Sequence, residues 1–370
     1  VSVMLRVVLD QLVTATHPDL ATASRELARA LVQARPSGCE VGAIVPAGAA
    51  ELDVPGLGEV RRMAMGRREL AAAWQLGVTA GAGGGLIHSP TLLAPLVRHD
   101  RVNDHDQTVV TLWHLRPWEH PDEVPRALQS WAKAMLKRVR RHADAVVVPT
   151  HAMAERLAEL TDLGGRIRVI AGAAPAGFAV PTDAVGRRRT MTLPEALMVL
   201  IGDASPSSGL AAGFRAIAAS GADLPIVVLD ARDGEEPAIV ELAQAAGIGE
   251  HRVHVRPGLD AADRAAILDA AAIVLAPGRR SGFPWRVVEA MALGVPVVAA
   301  ASADHREVIF EGGRVVGDGA DDAEALGDAA ADALSSIAGL ERLAVLAGDR
   351  GRAFSWREAA DRVWQLHADL

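Results

Sequence analysis

The stretch SGFPWRVVEAMALGVPVVAA, residues 281–300, reads as a loop, a helix, a Gly-Val-Pro break and a buried strand. Its one acid, Glu289, sits on an otherwise apolar turn beside Val287, Val288 and Ala290. An ionised carboxylate in such company is costly unless something polar meets it. Just upstream, AAIVLAPG (271–278) is another short apolar run. Strand, loop, helix, strand, with strands apolar on both faces, is the repeating unit of a parallel sheet covered on each side.

Working outward, the alternation continues through nearly the whole chain. Candidate strands in the first half are LRVVLD (5–10), EVGAIVP (40–46), GLIHS (85–89), TVVTLW (108–113), AVVVPT (145–150) and RIRVI (166–170). Helical patterns such as LATASRELARALVQA and RALQSWAKAMLKRVRRHA lie between them. A stretch rich in Ala, Gly and Pro, 171–195, reads as a linker. The pattern then restarts with ALMVLIGD (196–203), PIVVLDA (225–231), RVHVRPG (252–258), AAIVLAPG and VPVVAAA (295–301). Two doubly wound α/β units follow, 1–175 and 176–353, with ligands expected at the carboxyl ends of the strands. The last segment, 354–370, is an amphipathic helix with Ser355 placed as its cap; Phe354, Trp356, Val363, Trp364 and Leu366 are available for packing.

Composition narrows the class. A chain of 370 residues favours about two domains. No apolar run reaches the ~20 residues that span a bilayer. The opening VSVMLRVVLDQLV lacks a basic lead-in and reads as a first strand, not a signal peptide. Cys39 is the sole cysteine, which excludes an internal disulfide and a cysteine-built zinc site and fits a reducing cytoplasm. The net charge of -8 argues against a general nucleic-acid binder. Lys133 and Lys137 are the only lysines, so no ammonium is available beyond residue 137.

Several phrases in their order resemble family 4 of the GT-B glycosyltransferases. They are ADAVVVPTHAMAERLAEL with RIRVIAGA, then RVHVRPGLDAADRAAILDAAAIVLAP with SGFPWRVVEAMALGVPVVAA. The resemblance is strongest from about 250 to 310. It implies a GT-B fold of two Rossmann-like domains facing a cleft, with 354–370 packing back on the first. It also implies a nucleotide-sugar donor in the second domain and an acceptor that is a glycan or lipid-linked. Glu289 matches the family acid that binds the ribose, while Ser281 stands where a second acid contacts the donor sugar. Gly282, Phe283 and Pro284 stand where backbone N–H groups line the donor, and proline removes one of them. In IGDASPSSGL (201–210) Gly202 is expected at the donor, and Asp203 and Ser208 replace an arginine and a lysine that neutralise the diphosphate. Trp113-His114 replaces a His-Asp pair on the acceptor side.

Each of these residues also has an ordinary structural role open to it. Glu289 binds vicinal hydroxyls, as an ionised acid can, or rests near a helix start for ~0.5 kcal/mol. Ser281 hydrogen-bonds a sugar or caps the next helix. Arg279 and Arg280 supply the missing phosphate charge or are solvated loop cations; Arg286, on a helix surface, is a weaker candidate. His114 is an acceptor-side base or hydrogen-bond partner, or a structural histidine. Trp113, with Trp118, walls a sugar ring or belongs to the core. His88, at a strand end, faces the same choice. GAGGG (81–85) reads as a turn and not a phosphate loop. The segment 131–142 is a basic amphipathic face that rests on anionic lipid at the inner side of the membrane or is merely solvated.

The chemistry that the resemblance implies is retaining sugar transfer, driven by stabilising charge on a departing nucleoside diphosphate. It implies no metal and no cofactor besides the nucleotide sugar. With several polar functions altered together, a second expectation is a catalytically degenerate GT-B protein that binds nucleotide or glycan, or partners an active glycosyltransferase. A sugar-nucleotide epimerase is a third.

Overall fold

The computed structural model describes residues 3–79, 81–99, 106–279, 282–317 and 323–370. The chain divides into two compact units. One holds the chain through Gly172, Gly282 with Phe283, and Ser355–Leu370; the other holds the chain from Ala173 and the segment Pro284–Phe354.

In the first unit β1 (Val3–Val8), β2 (Cys39–Val45), β3 (Val60–Arg62), β4 (Leu86–Ser89), β5 (Gln107–Thr111), β6 (Ala145–Val148) and β7 (Ile167–Val169) form one parallel sheet. The strand order is β3-β2-β1-β4-β5-β6-β7. Central strands are apolar on both sides because helices cover both faces. The helix Pro18–Gln33 shows how. Proline at its first position costs no hydrogen bond, and Ala23, Leu27, Ala28 and Leu31 place one apolar stripe against the sheet. The terminal helix Trp356–Asp369 packs on that helix, with Trp364 Nε1 donating to Leu31 O at 3.1 Å. Trp356, Val363, Trp364 and Leu366 are buried as their spacing requires. Ser355 does hold the N-cap position, but its side chain makes no cap hydrogen bond.

The second unit contains β8 (Leu197–Ile201), β9 (Ile226–Leu229), β10 (Val253–Val255), β11 (Ala271–Ala276), β12 (Val297–Ala300) and β13 (Arg314–Val316). They form a parallel sheet in the order β10-β9-β8-β11-β12-β13. Its core joins Met198, Leu200, Phe214, Ile217, Val228 and Leu275.

Two strands depart from the sequence expectation. β3 and β13 are three-residue edge strands that carry arginine, so they lack the apolar run that marks their neighbours. The Ala/Gly/Pro-rich stretch is also more than a linker, for it contains the helix Ala184–Thr190. Arg188 on that helix is 8% exposed and donates to Ala266 O and Asp269 Oδ2, both at 2.8 Å. It thereby satisfies an end carbonyl of the helix Ala261–Asp269. Among the described residues no helix is long and apolar enough to cross a membrane.

Candidate functional site

In the second sheet the chain builds outward from β8 through β9 and β10, then returns to the other side of β8 with β11. At such a reversal ligands bind outside the carboxyl ends of the strands. Here the loop after β8 and the loop after β11 run backbone to backbone. A Cβ on Gly209, whose φ is +72°, would lie 2.6 Å from Pro277 O, and one on Gly278 would lie 2.9 Å from Ser208 O. At Gly202 a Cβ would meet Leu210 at 2.8 Å. Glycine is required for that approach.

The β8 loop turns its polar atoms inward. Asp203 is 2% exposed, accepts from Ser205 N at 2.9 Å and from the Ser205 hydroxyl, and pairs with Arg232 Nη2 at 2.6 Å. Ser208 Oγ donates to the carbonyls of Asp203 and Ser205. An acid therefore occupies this loop together with its own arginine, brought from the loop after β9.

Glu289 lies on the helix Trp285–Ala292 and is 2% exposed. Arg264, from the helix Ala261–Asp269, grips it as a fork, Nε to Oε2 at 2.9 Å and Nη2 to Oε1 at 2.7 Å. Arg286, three residues earlier and so on the same helix face, donates to Oε1 at 2.5 Å. Three charge-assisted bonds answer the desolvation of a buried carboxylate. Arg286 is itself 4% exposed and its Nε donates to Asp230 Oδ1 at 2.7 Å. Asp230 follows β9 with φ +74°, a left-handed conformation in which only Gly, Asn and Asp are common. The chain Arg264–Glu289–Arg286–Asp230 thus crosses the strand ends, and its formal charges cancel.

Of the remaining sequence candidates, Gly282, Phe283, Trp113 and His114 are brought together and His88 lies apart. Arg279 is exposed, and its guanidinium has no partner among the described residues. Arg280 and Ser281 lie outside the described residues. Gly282 pairs with His114 in an isolated antiparallel bridge, and Phe283 N donates to Trp113 O at 3.0 Å. The Phe283 amide is therefore engaged by protein. Trp113 is 6% exposed, packs against Phe283 and Trp356, and donates from Nε1 to Pro90 O at 2.9 Å. It is a core residue of the first unit, with no face left for a sugar wall. His114 is exposed. His88 is fully buried, with Nε2 3.1 Å from Thr111 Oγ1 and its ring 5.7 Å from that of His367. Burial and then the neighbouring His367 hold its pKa well below the ordinary imidazole value. It sits beneath the terminal helix and not at a surface.

The first sheet reverses order between β1 and β4, and there too a carboxylate is buried. Asp10 is 0% exposed and accepts from Arg67 Nε at 2.7 Å, Gln11 Nε2 at 2.7 Å and Thr91 Oγ1 at 3.3 Å. Burial raises its pKa against the opposing pull of Arg67. Sequence reasoning missed Asp10, Arg67, Arg232, Arg264 and Asp230. For Arg264 and Asp230 a signal existed: a lone arginine in the alanine-rich AADRAAILDAAA, and an acid set directly after VVL.

Residues 199–336 match the profile of the family described as glycosyl transferases group 1. A D-inositol 3-phosphate glycosyltransferase from Xylanimonas cellulosilytica is 31% identical over 243 residues, which is 61% of this chain and 57% of that protein. The chain thus spans little more than half the length of this curated relative. Sucrose-phosphate synthase from Thermosynechococcus elongatus superposes with a TM-score of 0.74 at 20% identity, covering 99% of this chain and 98% of that one. HepE of Anabaena, solved with UDP and glucose, gives 0.72 at 17% identity, covering 100% of both chains. These two show a shared architecture.

Proposed function

We propose that the chain is a group 1 glycosyltransferase of GT-B fold that transfers a sugar, with retention, from a nucleotide-sugar donor to a glycan or lipid-linked acceptor. The observation that carries this is the family match over 199–336, a span that contains the loops after β8 and β11 and Glu289. The donor is a substrate, and no other cofactor enters the proposed reaction. The departing nucleoside diphosphate needs positive charge, and Arg279, exposed and held beside the β8 loop by its backbone N–H donating to Ser207 O, supplies it together with Arg280. His114 and Ser281 are the groups proposed to act at the sugar and acceptor hydroxyls.

Incubation with a panel of nucleotide sugars and detection of released nucleoside diphosphate tests the transfer. Titration calorimetry of the Arg279→Ala/Arg280→Ala double variant tests the cation role; removing a charge-stabilising donor costs about 3 kcal/mol, roughly a hundredfold. Unchanged nucleotide affinity would sink the compensating arginines. The Asp203–Arg232 pair favours one second reading, a degenerate GT-B protein that binds nucleotide or glycan beside an active glycosyltransferase. Binding without turnover, with a second transferase co-purifying, is its signature. The helix Arg126–His142 exposes Lys133, Lys137, Arg140 and Arg141 and contains no acid, which supports contact with an anionic membrane through 131–142. Co-sedimentation with anionic but not neutral vesicles checks it.

A further inference from the structure

Among the described residues Asp203, Glu289 and Asp230 stand near the strand ends of the second unit, and they differ in what remains free on them. Asp203 has Oδ1 filled by Ser205 and Oδ2 by Arg232, at 2% exposure. Glu289 receives three guanidinium N–H groups on two oxygens, also at 2% exposure. Asp230 keeps a third of its side chain exposed, with Oδ1 bound to Arg286 and Oδ2 without a partner among the described residues. A ligand hydroxyl needs an acceptor oxygen with an open lone pair. Asp230 alone of the three presents an oxygen without a partner among the described residues on a side chain open to solvent.

We propose that Asp230 is the carboxylate that accepts hydrogen bonds from hydroxyl groups of the bound nucleotide sugar. This role presupposes the donor proposed above. Several features fit it. Asp230 directly follows β9, whose last residue accepts from Gly202 N at 2.9 Å, so it borders the β8 loop at the strand reversal. Its left-handed backbone, uncommon for a residue with a Cβ, turns the chain sharply at the strand end. Arg286, buried and anchored on Glu289, fixes the orientation of Oδ1. The free oxygen is thereby held in place before a ligand arrives, which lowers the ordering cost of binding. Glu289 becomes a positioning residue that acts through Arg286.

The hydroxyls come from the ribose or from the transferred sugar, and calorimetry separates the two. Asp230→Asn is the first variant, since asparagine also tolerates the left-handed region; Asp230→Gly, which keeps the turn without a side chain, is the second. Probes are UDP, GDP and ADP, their 2′-deoxy counterparts, and the matching glucose and mannose nucleotides. Loss of a charge-assisted bond weakens binding about ten- to a hundredfold. If both variants lose affinity for the ribonucleotide and no longer distinguish it from its 2′-deoxy form, Asp230 binds the ribose. If only the nucleotide sugar weakens, it binds the sugar. Equal affinities in wild type and both variants, with Glu289→Gln alone abolishing binding, would overturn the inference while leaving the donor intact. Absence of any nucleotide binding to the wild type would remove the donor itself, and the inference with it.

Discussion

The two sheets reverse their strand order alike, and each buries a carboxylate near the reversal, but the acids are met differently. Asp10 has one guanidinium, one amide and one hydroxyl, and burial still lifts its pKa. Glu289 has two guanidinium groups and three N–H donors, one of them shared onward with Asp230. The lesson concerns charge balance. A single cation with neutral helpers leaves the acid able to take up a proton, whereas an alternating chain of ions locks each member to the next. Removing a link from such a chain strands a buried charge.

Arg286→Ala is the severest test of that difference. It leaves Glu289 with Arg264 only and Asp230 with none, and the expected loss is about 3–5 kcal/mol. Hydrogen exchange would locate the loss in β9 and β11 and leave β1 unchanged. A cost below about 1 kcal/mol would show that the chain is not under tension. Arg67→Ala is the counterpart in the first unit, with about 1–3 kcal/mol expected near pH 8. Asp10 then has a raised folded pKa, so its contribution is present at low pH and lost as pH rises. The penalty should accordingly shrink toward pH 5, as urea titrations at the two values would reveal; a constant penalty contradicts a protonatable Asp10.

Acid titration of the first unit comes next. Burial depresses His88 well below its ordinary value and His367 to about 4, from 6.5. A depressed histidine favours the folded state above its unfolded pKa. That stability is lost as pH falls from 6.5 toward about 4, on the order of 3 kcal/mol for His367. Asp10 moves the opposite way, so the comparison needs a variant. Thermal melts of His367→Gln should lose less stability between pH 6.5 and 4 than the wild type. Parallel pH profiles would mean that His367 does not titrate as a buried group. The smallest contrast concerns helix caps. Ser302 Oγ accepts from His305 N at 3.0 Å, so Ser302→Ala should cost about 1 kcal/mol. Ser355 makes no such bond, and Ser355→Ala should change stability by less than about 0.5 kcal/mol. Equal melting shifts would cancel that distinction.

Much of the architecture was legible in the chain. Runs such as LRVVLD and ALMVLIGD announce buried parallel strands because both faces must be apolar. β3 and β13 were not legible, since an edge strand needs no apolar run and tolerates arginine. Within the site, Glu289 could be singled out as an acid on an apolar turn that required a polar partner. Arg264 and Asp230 carried a local signal, as a lone arginine among alanines and an acid after an apolar run, but their pairing did not. Arg264 lies 25 residues away, and Asp230 lies 56 residues from Arg286. Trp113 and His88 stand at strand ends, where ligands also gather; helix docking from the far end of the chain buries both.

The sequence by itself determined the alternation of strands and helices, the turn at GAGGG and the need for a counter-charge at Glu289. Periodicity, backbone conformation and desolvation act on near neighbours in the chain, and so they can be read locally. Only the tertiary structure decided that Arg264 and Arg286 meet that need and that Asp203 carries its own arginine. It also decided that Asp230 keeps an oxygen open. Which ions pair depends on where the fold removes water, and that is settled when distant strand ends come together.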